Sequence, residues 1–311
     1  MKNLIFSSFV SRPTANKTHR ISNTVYFQNL IVSLSSAKQQ NPLCDVAIII
    51  PFSKKKEMPK WFVNDCRRFE ILLIEKNFTY FNDSINALWS FSLFPLSLFI
   101  SLYKENEYDN ILFIDSDTFS NRPFDDIWED DKDFILLYDI IHNHSATQAK
   151  DQSNEYFQYC GKRIYFTNYG GEFISGSSKN LALFSEEALK MYTVYQEKKI
   201  NYQHGIESFI SPVAYEFQKS GKLLIKSANP YVYRYWTGYH FKSLSLNYKY
   251  NSICVFHVPD EKNVGMLKIY RKIKKHGKTN SKYAIRKLGL TCISLPRLSY
   301  LFYKVSQRLT K

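Results

Sequence analysis

Short, nearly unbroken apolar runs separated by helix-length segments constrain this chain more than any other feature. LIFSSFV (4–10), VAIII (46–50), EILLIE (70–75), ILFI (111–114) and FILLY (134–138) show little polar alternation. A strand with one wet face alternates, whereas a strand covered on both faces does not, so these runs predict a mostly parallel sheet packed between helices. Between them, 24–37 places Val25, Leu30, Ile31 and Leu34 on one helical face, and 84–103 predicts a second helix that Pro95 kinks or restarts. The expected fold class is α/β, a Rossmann-like mixed sheet flanked by helices. In open sheets of this kind ligands bind beyond the carboxyl ends of the strands.

The second half is less regular. RIYFTNYGGEFISGSS (163–178) reads as a strand, a Gly-Gly turn and a second strand. Helices are predicted over 179–198 and 205–219, and late strands over LLIKSA (223–228) and SICVFHV (252–258). There is no internal repeat.

The net charge of +14 is concentrated at one end. After Glu261 there is no acidic residue, and Lys262 to Lys311 holds 14 Lys and Arg, which leaves 28 basic and 28 acidic residues in the first 261. We therefore expect two parts, a domain over 1–262 and a basic helical extension over 263–311. MLKIYRKIKK (266–275) and LSYLFYKVSQRL (298–309) each combine basic residues with an apolar stripe. That pattern suits the surface of an anionic bilayer, which is the expectation here; a helix pair packed on the domain with a solvated basic face is the alternative. Nucleic acid is not expected, because no recognition motif accompanies the charge. Five dispersed cysteines without metal-ligand spacing fit a reducing compartment. MKNLIFSSFVSRP lacks a signal-peptide cleavage site, and FSLFPLSLFISLY (91–103) is too short to span a bilayer. The expected location is the cytoplasm, peripheral on the inner face of the plasma membrane.

NILFIDSDTFSNRP (110–123) puts Asp115 and Asp117 at the end of an apolar strand. Asp, Ser, Asn and Pro form ordinary turns, so a plain loop is one reading. The other is half of a metal site. Side chains at i and i+2 of an extended segment point the same way, so both carboxylates can face one cation. Hard oxygen ligands suit Mg²⁺ or Mn²⁺, which take further ligands from substrate phosphates and neutralise charge on a diphosphate leaving group.

The segment YDNILFIDSDTFSNRPFDDIW (108–128) resembles the nucleotide-sugar-dependent glycosyltransferases of the GT-A fold. It is most similar to glycosyltransferase family 8 and its bacterial lipooligosaccharide relatives. The likeness spans roughly 3–262 and is strongest around Asp115. It implies a GT-A domain moving a sugar from a nucleotide-diphosphate donor, with UDP the expected nucleotide, to a cell-surface glycan or glycolipid. Asp115 inherits a place near ribose and metal, and Asp117 that of a metal chelator. His257 in CVFHVPDEK matches the family's late metal-binding His, with His240 in YWTGYHFK as its rival. Ser116, Gly171 in TNYGGEFISGSS, and Lys262 are placed on the donor, Lys262 at its diphosphate. Glu172 follows the glycines and is positioned to meet a sugar hydroxyl. Glu207 stands where the family carries an acidic pair near the anomeric carbon, as transition-state stabiliser or base; a solvated helix Glu is the alternative.

The chain also departs from that family. Trp89 and Phe91 occupy the region where a basic residue usually precedes the Asp pair, and Lys262 is not followed by Pro-Trp. The first strand end lacks the usual uridine-holding residues, which leaves Ser8 and Asp83 as candidates. Retention or inversion at the anomeric carbon stays open. Competing functions are a haloacid dehalogenase-like phosphatase, which also uses a strand followed by Asp-x-Asp, and a catalytically inactive membrane-binding module.

Overall fold

The structure is a computed structural model that describes residues 1–10, 22–52, 54–78, 90–129, 134–140, 146–236 and 252–290. The first apolar run forms β1 (Asn3–Ser8), and α1 (Asn23–Gln40) follows with Ser22 as its cap, the hydroxyl accepting from Val25 N at 3.4 Å. Next come β2 (Asp45–Pro51), α2 (Lys60–Arg68) and β3 (Leu72–Lys76). Pro95 does not kink a helix. It lies in the first turn of α3 (Phe94–Glu105), where a missing N–H costs nothing, and Asn106 closes the helix with φ of 53°. Then follow β4 (Asn110–Ile114), β5 (Thr118–Ser120), α4 (Asp125–Glu129), β6 (Phe134–Asp139) and α5 (Ala146–Cys160). The rest is β7 (Tyr169–Ser177), α6 (Ser178–Glu197), α7 (Glu207–Ser220), β8 (Leu224–Ser227), β9 (Val232–Arg234), β10 (Val255–His257), α8 (Gly265–His276) and α9 (Ser281–Lys287).

Seven strands make one mixed sheet in the order β3-β2-β1-β4-β7-β6-β8, and β5-β10-β9 make a small second sheet. In the large sheet β7 alone runs against its neighbours; every other pairing is parallel. The hairpin expected over 163–178 does not form. β7 passes straight through Gly170 and Gly171, and residues 163–168 are irregular. The glycines serve close approach instead of a turn: a Cβ on Gly170 would collide with the Glu172 carboxylate, and one on Gly171 with Ile206.

Helices cover both faces of the sheet, so each strand feeds two cores. Ile5, Val46, Ile48, Leu112 and Leu136 point into one with α1, α2 and α8. Leu4, Phe6, Ala47, Ile49, Phe113 and Leu137 point into the other with α3, α6 and α7. This arrangement explains the unbroken apolar runs.

The apolar stripe of the first basic segment belongs to the first core. Met266, Ile269, Tyr270 and Ile273 of α8 are buried there, as are Ala284, Leu288 and Leu290 beyond it. Asp65 of α2 accepts from the Tyr270 hydroxyl at 2.7 Å and pairs with Lys274 at 2.6 Å. The stripe expected to meet a bilayer therefore closes the fold, and packing continues unbroken past residue 262. The second segment, 298–309, lies outside the described residues. Among the described residues no helix is long and apolar enough to cross a membrane.

Candidate metal centre and cleft

A cleft of about 580 Å³ opens at the carboxyl ends of β1 and β4. Its floor is the loop after β4, held by a polar stripe on α1. The Ser33 hydroxyl lies 3.2 Å from Asp115 O and 2.6 Å from the Thr118 hydroxyl, while Ser120 N donates to Ser36 Oγ at 2.9 Å. Thr118 Oγ1 also donates to Asp115 O at 2.8 Å, and Ser7 Oγ of β1 to Ile114 O at 2.5 Å. Asp115 and Asp117 thus sit on a loop with little freedom to move.

Three further elements bring charged groups to that loop. Pairing of β7 with β6 shifts between Leu137, opposite Ile174, and Tyr138, opposite Gly170. The bulge frees Gly171 and Glu172 from the β6 ladder, and Glu172 O accepts from Asp115 N at 3.0 Å. In the small sheet, His257 of β10 lies opposite Thr118 on one side and Arg234 of β9 on the other. Lys262 follows on the short turn after β10.

The side chains form a chain of alternating charge. Lys262 Nζ is 2.8 Å from Asp117 Oδ2, and His257 Nε2 is 3.3 Å from Asp117 Oδ1. On its other edge, His257 Nδ1 is 3.2 Å from Glu172 Oε1, and Arg234 Nε is 3.4 Å from the same oxygen. Burial would raise the Asp117 carboxyl, but Lys262 and His257 outweigh it and hold the group far below the usual carboxylate range. Burial likewise opposes ionisation of Glu172, and Arg234 with His257 reverses it. Asp115 is pushed up by burial and by the Asp117 charge. Burial disfavours the imidazolium of His257, yet Asp117 and Glu172 lift its pKa to about 9.

Asp115, Asp117 and His257 each offer a donor atom, and the three lie within 4.8 Å of one another. Both Asp117 carboxylate oxygens are buried without an aligned hydrogen bond. Two carboxylates and an imidazole converging on one point are a donor set that fits a hard divalent cation such as Mn²⁺ or Mg²⁺.

The opposite wall is the segment 201–206 leading into α7. α5 holds it through one polar face: Gln148 Nε2 donates to Glu207 Oε2 at 2.5 Å, Asp151 meets His204 Nε2 at 3.2 Å, and Glu155 Oε1 accepts from Gln203 N at 2.9 Å. Burial pushes the Glu207 carboxyl up to about 7, with Arg234 opposing and Glu172 assisting. Burial raises Glu155 to about 7 as well.

Of the residues expected from sequence, Ser8, Asp115, Ser116, Asp117, Gly171, Glu172, Glu207, His257 and Lys262 all line this cleft. Asp83 and His240 lie outside the described residues. Phe91 lines the cleft too. Sequence reasoning missed Arg234, Tyr26 and Gln148, which also line it. One basic residue inside the aromatic run YVYRYW was the available signal for Arg234. Comparison of the chain with protein-family models and with curated proteins finds no match in either.

Proposed function

We propose that this chain is a metal-dependent glycosyltransferase of GT-A type, moving a sugar from a nucleotide-diphosphate donor, with UDP the favoured nucleotide, to a cell-surface glycan or glycolipid. One observation carries the reading. Asp115, Asp117 and His257, from two sheets and far apart in sequence, meet in a cleft at the carboxyl ends of the parallel strands. In this reading they hold Mn²⁺ or Mg²⁺, which when bound neutralises charge on the diphosphate.

The chain's own residues supply the rest. Lys262 adds a second positive charge beside Asp117, positioned for a leaving diphosphate. Ser8 and Tyr26 line the end of the cleft next to β1 and α1, where a nucleotide fits an open α/β sheet. Glu207, with its pKa near neutrality, takes the proton of an acceptor hydroxyl as general base. Contact with an anionic membrane surface runs through exposed basic residues of α8 and α9, since the apolar face of α8 is occupied.

Calorimetry tests the central claim. The wild-type chain should bind UDP with heat that depends on Mn²⁺. Asp117→Ala, shown to be folded by circular dichroism, should lose that heat and transfer together. Metal-dependent UDP binding by the folded variant at wild-type strength would refute the assignment.

A further inference from the structure

The sheet topology divides the cleft into two ends. β1 leads to β2 and β3 on one side, while β4 opens the other side, so the topological switch point lies between β1 and β4. A nucleotide binds at such a crevice. Lys262 belongs to that end, with its ammonium 5.8 Å from the centre of the Tyr26 ring. Arg234 belongs to the other. It is joined to Lys262 through the sequence of ion pairs Glu172, His257 and Asp117, and it lies beside Trp236, its Cζ 5.2 Å from the ring centre.

Arg234 is an incompletely used cation. Its side chain is 14% exposed, and its Nε is buried without a hydrogen-bond acceptor among the described residues. That Nε is only near Glu172, whose Oε1 is shared with His257. Glu207 is the other carboxylate nearby, and at neutral pH it carries only part of a charge. A guanidinium has five donors in a planar fork that matches a carboxylate in two parallel bonds. A buried guanidinium donor left without an acceptor is costly unless a ligand satisfies it. Lys262 and the metal ligands already serve a diphosphate at the nucleotide end, so the anion that Arg234 meets belongs to the sugar end.

We propose that Arg234 anchors an acidic-sugar subsite, in which its guanidinium fork receives the carboxylate of a uronic acid or similar sugar on the far side of the metal centre from the nucleotide. This rests on the nucleotide-sugar reading above. The carboxylate belongs either to the transferred sugar or to the acceptor.

Calorimetry on the full chain with Mn²⁺ separates the two sources. One arm compares UDP, UDP-glucose and UDP-glucuronate. The other, with UDP bound, compares the methyl glycosides of glucose and glucuronic acid. In one arm the acid should bind about tenfold tighter, or more, than its neutral counterpart. Arg234→Gln should abolish that preference. Arg234→Lys keeps the charge beside Glu172, so it guards against a glutamine variant that fails to fold, and it should lose most of the preference with the fork. Equal binding of acid and neutral forms in both arms would overturn the subsite. So would a loss of UDP affinity in folded Arg234→Lys as large as its loss of the acid preference, since that variant keeps the charge beside Glu172 and only the fork is gone. Absence of UDP binding by the wild type would instead remove the nucleotide reading, and the glucuronide–glucoside comparison without UDP would still decide the subsite.

Discussion

At the scale of single residues, the cleft is a problem in sharing charge. Asp117 serves Lys262 and His257, and Glu172 serves His257 and Arg234, so neither acid has a partner of its own. Glu207 feels the same charges, lowered by Arg234 and raised by Glu172, but burial dominates its titration. With a pKa near 7, its carboxylate form grows as pH rises through neutrality. If the proposed transfer uses it as base, the rate should climb from pH 6 to 8 and then level. Glu207→Gln should flatten that limb and lower kcat about 100-fold, with donor affinity little changed. A variant that keeps the wild-type pH profile would remove Glu207 from proton transfer. The Asp pair was readable from sequence because position at a strand end and spacing of two are local properties. Arg234 was not, because β9 has three residues and only its pairing with β10 brings it to the site.

At the scale of elements, α5 shows why apolar pattern alone misses a helix. Its inward face carries Gln148, Asp151, Gln152 and Glu155, so the periodicity is present but written in polar residues. The same ambiguity misread β7, where Gly-Gly signals a turn unless close packing requires the missing side chains. α8 gave the right pattern with two possible partners, because an apolar stripe suits a core as well as a bilayer. α5 also carries a stability signature. Glu155 is raised from 4.5 to about 7 by burial, so the folded state keeps a proton that the unfolded chain gives up. Its stabilisation is complete below pH 4.5 and is lost as pH rises to about 7. In urea unfolding, the stability of the wild type relative to Glu155→Gln should fall by about 3 kcal/mol across that window. Glu155→Gln should remove this share of the slope and leave the share that Glu207, raised over the same window, contributes; faster hydrogen exchange at Gln203 in Glu155→Ala would report the loosened wall.

At the scale of the whole molecule, charge and packing are separated. The acidic groups of the cleft lie at the carboxyl ends of the strands, while Arg271, Lys275, Lys278, Lys282 and Arg286 stand exposed on and around α8 and α9. If these bind an anionic surface, the contact is electrostatic, worth about 1 kcal/mol per basic residue, and salt-sensitive. The chain should sediment with phosphatidylserine-containing vesicles at low salt and be released by 0.5 M NaCl. Charge reversal at Arg271 and Lys275 should weaken that binding without affecting UDP affinity. Vesicle binding that resists salt would point to apolar insertion by another segment.

The seating of α8 in the first core also orders events during synthesis. Asp115 and Asp117 emerge early, whereas His257, Lys262 and the helix that seals α1 and α2 come more than a hundred residues later. A ribosome-bound chain lacking them carries an exposed apolar trough and two unneutralised carboxylates beneath it. The cleft and the core are therefore completed by the same stretch, so a shortened chain ending near residue 250 would lose the cover of its first core and two charged groups of the cleft in one step.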